Sequence, residues 1–156
     1  MSTTHCPECG ASLKKFWHRL TPGLVRALYK FARGIGQHGR NELNPHTEMP
    51  EGLTLTFNER GNFTKLRFFA LVAKVRVNGH HTTGKWLLTK RGSDFLHGRM
   101  AIPKRVQTYR NEVVAHDPET ITVHPFIRQA PWFEQTFDFD VADGEVFVRR
   151  QQPALF

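Results

Sequence analysis

No apolar stretch of this chain approaches the about twenty consecutive residues that a membrane-spanning helix needs, so the sequence offers no bilayer span. The start, MSTTHCPECG, lacks a basic segment followed by an apolar run; no signal peptide is expected, and the cytoplasm is the expected compartment. Cysteine is nearly missing. Cys6 and Cys9 are the only two, too few and too close for the disulfide framework of a small secreted protein. Internal repeats and low-complexity tracts are lacking, and so are a serine-nucleophile motif and a glycine-rich phosphate cradle. His116-Asp117 could suggest a phosphohydrolase dyad, but Pro118 follows at once and favours a turn. His80-His81 has no neighbouring carboxylate to complete a metal triad. Glu134, Asp138, Asp140, Asp143 and Glu145 match no calcium-loop spacing, and a solvated strand face accounts for them. No catalytic constellation emerges, and an enzyme is not expected.

What the chain has is a core and a charge imbalance. Its 156 residues suit one ordinary domain with a decorated end, and a 39% apolar fraction with 13 Phe can fill an interior. The net charge of +8 is unevenly distributed. Residues 58–110 hold 12 Lys/Arg against 2 Asp/Glu, whereas residues 111–156 hold 3 against 8. A concentrated cationic block attracts a polyanion and gains from counterion release when phosphates are neutralised. The competing reading, a merely solvated surface, explains such a lopsided stretch less well.

Thr21-Pro22 supplies an N-cap and a first-turn proline. Leu24, Val25, Leu28, Phe31, Ala32 and Ile35 then recur at helical spacing, and the helix should weaken at Gly34 and Gly36. Residues 37–52 read as a connector. Thr56-Phe57-Asn58-Glu59 fits a capping box and opens a helix expected over 57–71, with Phe63, Leu66, Ala70 and Leu71 lining its inner side. Alternating segments 72–77 and 85–89 flank a polar stretch, 78–84, read as a hairpin loop, and Trp86 reads as core beneath it. Thr89 caps a short helix that Gly98 ends. Later segments read as strands: 106–109 with 112–115 across Arg110-Asn111, then 120–123, then a hairpin around Asp143-Gly144.

The order helix, connector, capped helix, basic hairpin and closing helix resembles the winged helix-turn-helix family, in its MarR-like and phage or mobile-element forms. The resemblance covers residues 21–98 and is carried most by FTKLRFFALVAKVRVNGHHTTGKWLLTKRGSDFLHG, including Ala70-Leu71-Val72 and the "LT..G..FL" pattern from Leu88 to Leu96. It implies a winged-helix core over 21–98; with the preceding segment 1–20 and the acidic, antiparallel β-rich extension that the strand patterns give over 99–156, an α+β fold is expected. It further implies a small transcriptional regulator reading duplex DNA with helix 57–71 and wing 76–85. Asn58, Arg60, Asn62, Thr64, Lys65 and Arg67 would face the groove, where Asn suits adenine and Arg suits guanine. Arg76, His80, His81, Thr82, Thr83 and Lys85 would meet the neighbouring backbone, mostly through phosphates. MarR-type regulators dimerise through long terminal helices, which this chain's β-rich end does not offer. The alternative is a phage or mobile-element interaction protein that engages a host protein or nucleoprotein machine, its acidic tail imitating nucleic acid. Binding to structured RNA is a third reading.

His5-Cys6-Pro7-Glu8-Cys9-Gly10 resembles one knuckle of a zinc ribbon, whose tight turn points both thiolates at one ion. Structural zinc takes four ligands, and no second cysteine pair exists. His5 or His18 would complete the set with Cys6 and Cys9, or a partner's side chains would; a degenerate knuckle without metal stays open. A thioredoxin-like redox pair is disfavoured because no βαβ pattern surrounds the motif.

Overall fold

A computed structural model of the chain describes residues 14–38, 42–77, 80–128, 140–141 and 147–148. It is a mixed α+β arrangement with small antiparallel sheets. Strand β1 (Phe16–Arg19) leads into helix α1 (Pro22–His38), then helix α2 (Phe57–Asn62) and, without a break, a 3-10 helix (Phe63–Phe69). Strands β2 (Val72–Val77) and β3 (His80–Leu88) form a hairpin, followed by helix α3 (Lys90–Leu96). Short strands β4 (Ile102–Pro103), β5 (Arg105–Tyr109), β6 (Glu112–His116) and β7 (Thr120–Ile121) precede helix α4 (His124–Arg128). Two-residue strands β8 (Asp140–Val141) and β9 (Phe147–Val148) pair with each other.

Helix α1 organises the core. Leu24, Val25, Leu28, Phe31, Ala32 and Ile35 are all buried, as their spacing predicts. Phe31 meets Phe63 of the 3-10 helix edge-on at 5.0 Å between ring centroids, and Phe63 meets Trp86 of β3 at 5.5 Å in the same manner. This aromatic chain joins α1, the 3-10 helix and the hairpin, and it makes Trp86 the core residue expected of it. Edge-to-face pairs contribute about 0.5–1.5 kcal/mol beyond the area they bury.

The connector after α1 crosses the outer edge of β3. Leu43 exchanges both backbone hydrogen bonds with Trp86, at 2.9 and 3.0 Å, so one residue acts as a third strand beside the hairpin. Gly84 has a φ of +69°, and a Cβ there would collide with the Asn44 side chain. The connector therefore sits close only because position 84 has no side chain.

Two expectations are corrected. The single helix expected over 57–71 is α-helical only to Asn62 and continues as a 3-10 helix. Its burial follows period three: Phe63, Leu66 and Phe69 buried, Thr64, Arg67 and Ala70 exposed, Asn62, Lys65 and Phe68 between. A 3-10 helix stacks residues i and i+3, so apolar side chains spaced by three bury on one ridge, whereas an α-helix would rotate them off the core. Ala70 consequently faces out, and the chain leaves the helix through a left-handed residue there, with φ 61°. The polar stretch 78–84 is mostly strand rather than loop: β3 begins at His80, which pairs with Val77. Only Asn78-Gly79 separates the strands, the dipeptide that favours two-residue hairpin turns.

The β5–β6 hairpin turns at Arg110 and Asn111, both with positive φ, as the sequence indicates. Strand β1 adds to the other side of β5, placing residues 16–19 at the free edge of a three-stranded sheet.

Candidate nucleic-acid interface

The capping box forms as its residues predict. The backbone N–H of Glu59 donates to the Thr56 hydroxyl at 3.2 Å, and that of Thr56 donates to Glu59 Oε1 at 2.8 Å. The same carboxylate reaches α1, accepting from Arg26 Nε at 2.9 Å and from Lys30 Nζ at 2.7 Å. Glu59 is only 4% exposed. Burial alone would push its pKa up, but the hydrogen bonds from Lys30, Thr56 and Arg26 outweigh it and hold the carboxyl below its ordinary value. One acidic residue thus anchors α2 against α1 and absorbs the charge of that helix's two nearest cations.

The opposite side of α2 and the 3-10 helix carries Asn58, Arg60, Thr64 and Arg67, all exposed. Thr64 and Arg67 are three apart and stack on one ridge of the 3-10 helix. The Arg67 guanidinium lies over the Phe68 ring, 5.4 Å from its centroid. The next ridge bears Asn62 and Lys65, half-buried. Asn62 turns its amide back to donate to the Asn58 carbonyl at 2.9 Å. Across a cleft of about 250 Å³, Asn62 and Lys65 face Trp17, His18 and Arg19 of β1. Among the described residues, no carboxylate lies within ion-pair distance of Arg60, Lys65 or Arg67.

Several cations elsewhere are compensated, while Arg19, Lys74 and Arg110 have no carboxylate partner among the described residues. Lys85 pairs with Glu48 at 2.6 Å, Lys90 and Arg99 both contact Asp94, Lys104 pairs with Glu119, and Arg105 with Asp117. Lys85, expected from the sequence to be a DNA-contacting cation of the wing, is instead paired, because the connector that crosses β3 brings Glu48 against it. Arg76, His80 and His81 have backbone positions in β2 and β3, and their side chains lie outside the described residues. Lys74, which sequence reasoning passed over, is exposed on β2, its ammonium 5.5 Å from the Trp86 ring centroid. Arg19 and Trp17 were also passed over. The run Phe16-Trp17-His18-Arg19, two aromatics followed by His and Arg, is the signal.

Of the zinc candidates, His5, Cys6 and Cys9 lie outside the described residues. His18 Nε2 sits 2.9 Å from the Thr108 hydroxyl, and its ring stacks on Phe68 at 4.9 Å. Burial, with the Lys65 charge added, lowers its pKa below the ordinary value. Among the described residues, no three His, Cys, Asp or Glu side chains gather as a metal set, and no helix is long and apolar enough to cross a membrane. Comparison with protein families, with curated proteins and with solved structures finds no match to this chain.

Proposed function

We propose that this chain binds duplex DNA through the exposed side of α2 and the 3-10 helix, flanked by the β2–β3 hairpin, and acts as a small transcriptional regulator. The observation that carries this reading is the segregation of charge. Lys85, Lys90, Lys104 and Arg105 are each matched by a carboxylate, whereas Arg60, Lys65 and Arg67, close together on α2 and the 3-10 helix, have none among the described residues. Uncompensated cations on a helical ridge beside a hairpin form the electrostatic footprint that phosphates neutralise. Arg60 and Arg67 are long enough to fork onto guanine, and Asn58 can pair with adenine.

The order α1, Leu43 bridge, α2 with its 3-10 continuation, β2–β3 and α3 supports a winged-helix reading of residues 21–98. In that reading the 3-10 segment enters the groove and the hairpin is the wing. Titration of random and enriched duplexes at two salt concentrations tests the function. A regulator loses affinity steeply as salt rises and retains a sequence preference above that slope; no duplex binding at low salt refutes it.

One observation favours a second reading, an adaptor that docks on a host or phage protein. Phe57, at the first turn of α2, is 82% exposed beside the basic ridge. A large apolar side chain so placed suits a protein pocket. A stable protein complex that Phe57→Ala abolishes, without any duplex affinity, would select it.

A further inference from the structure

The cleft between β1 and the 3-10 helix has a constitution that neither the ridge nor the hairpin shares. Trp17 is 45% exposed on a strand at the free edge of its sheet. It is nevertheless held in place. The Arg105 guanidinium covers the indole at 4.6 Å from the ring centroid, and Arg105 Nε is itself fixed by Asp117 at 3.0 Å. Arg105 lines the adjoining charged cleft with Lys104, Asp117 and Glu119, not the cleft on the 3-10 side, and Arg19 stands between the two and lines both. The indole borders a second groove whose other walls are His18, Arg19, Thr21, Leu24, Asn62 and Lys65. Neither Arg19 nor Lys65 has a carboxylate partner among the described residues.

A rigid aromatic surface in a groove of uncompensated cations has the composition of single-strand nucleic-acid sites. There a base stacks on the ring and the flanking phosphates meet Lys and Arg. A solvated aromatic on an edge strand is the plainer alternative. Such a residue, however, does not need a guanidinium–carboxylate relay clamped over it. We propose that this groove is a stacking site for an unpaired base, so that the protein prefers a duplex bearing a single-stranded extension over a blunt one. The preference rests on the duplex reading above; the groove's affinity for a single strand does not. Trp17 supplies the stacking surface, Arg19 and Lys65 take the phosphates on either side of the base, and the Asn62 carbonyl oxygen can accept from its edge.

The probes are an oligothymidylate, a blunt duplex and the same duplex with a short thymidine overhang, titrated into the full chain while tryptophan fluorescence and anisotropy are followed. Oligothymidylate should quench the emission, and the overhang should tighten duplex binding. Trp17→Ala should weaken oligothymidylate binding by roughly 5- to 150-fold, the range seen when a base-stacking aromatic is truncated, and should equalise the two duplexes. Trp17→Phe should keep the overhang preference and lose the quench. Arg19→Ala, which leaves the indole in place, should weaken oligothymidylate binding as well. Oligothymidylate affinity that Trp17→Ala and Arg19→Ala both leave unchanged would overturn the proposal, as would equal wild-type affinity for blunt and extended duplexes. If oligothymidylate binds in a Trp17-dependent manner and neither duplex binds, the duplex reading fails while the groove stands.

Discussion

The Thr89 hydroxyl donates a 2.7 Å hydrogen bond to the carbonyl oxygen of Ala70, joining the cap of α3 to the left-handed residue that ends the 3-10 helix. Two further bonds run in parallel. Arg91 Nε donates to the Phe69 carbonyl at 3.0 Å and the Thr89 backbone N–H to that of Leu71 at 3.2 Å. Carbonyls at a helix end have no partner within the helix; here Thr89 and Arg91 supply partners to the carbonyls of Phe69, Ala70 and the following Leu71. Thr89 also accepts from the Gly92 backbone N–H at 3.0 Å, so the residue that caps α3 also secures the basic ridge. The "LT..G..FL" pattern acquires a physical meaning: it fixes where the 3-10 helix stops.

Gly92 is the tightest point of that junction. A Cβ there would lie directly against the Leu71 carbonyl oxygen and close to a Leu88 methyl. Backbone cannot yield as a side-chain tip can, so Gly92→Ala should destabilise by about 1–3 kcal/mol or more. Urea denaturation followed by circular dichroism reads this directly; an unchanged midpoint would mean that α3 is not seated so closely.

Ala70 carries the opposite opportunity. An L-residue in the left-handed region costs roughly 1–2 kcal/mol, part of which glycine returns as unfolded-chain entropy. Ala70→Gly should therefore stabilise by about 0.5–1 kcal/mol, since the exposed methyl makes no buried contact to lose. A rise in melting temperature checks it, and a fall would argue against the left-handed turn.

Stability should decline in two stages as the solution is acidified. The folded pKa of His18 lies below its unfolded value, so its contribution is complete above about pH 6.5 and fades as the pH drops through the folded value. Glu59 behaves likewise from about pH 4.3 downward, because the folded chain prefers the ionised carboxylate. His18→Gln should remove the upper stage alone. Glu59→Gln should flatten the lower one and cost about 1.5–3 kcal/mol at neutral pH, the worth of hydrogen bonds to a charged group. Denaturant midpoints measured across the pH range decide both, and a profile unchanged in either variant would contradict the assignment.

Much of the helical half was legible because strong local signals agree with the core they serve. Thr21-Pro22 and the 3.6-residue spacing from Leu24 to Ile35 specify α1, and Thr56 with Glu59 specifies the start of α2. Caps and amphipathic stripes are local, so sequence reveals them. The 3-10 continuation was also written locally, in the spacing Phe63, Leu66, Phe69, but an α-helical period hides it by assigning Ala70 to the core. The ion pairs that separate compensated cations from the exposed ridge were not legible. Lys85 meets Glu48 across 37 residues and Lys30 meets Glu59 across 29, distances that only the packed connector and helices can close. Strand β1 was missed for the same reason: its pairing with β5 spans most of the chain, and its four residues alone carry no strand period.

Whether the uncompensated ridge is where DNA is held is tested most directly by the salt dependence of binding by charge-removal variants. Arg60→Ala and Arg67→Ala should each weaken binding by about 1–3 kcal/mol where the side chain meets a base, or lower the salt slope by about one where it meets phosphate. Lys90→Ala, which removes a cation already paired with Asp94, should change neither affinity nor slope. A folded Arg60→Ala/Arg67→Ala double variant that binds duplex DNA with wild-type affinity and slope would contradict the account.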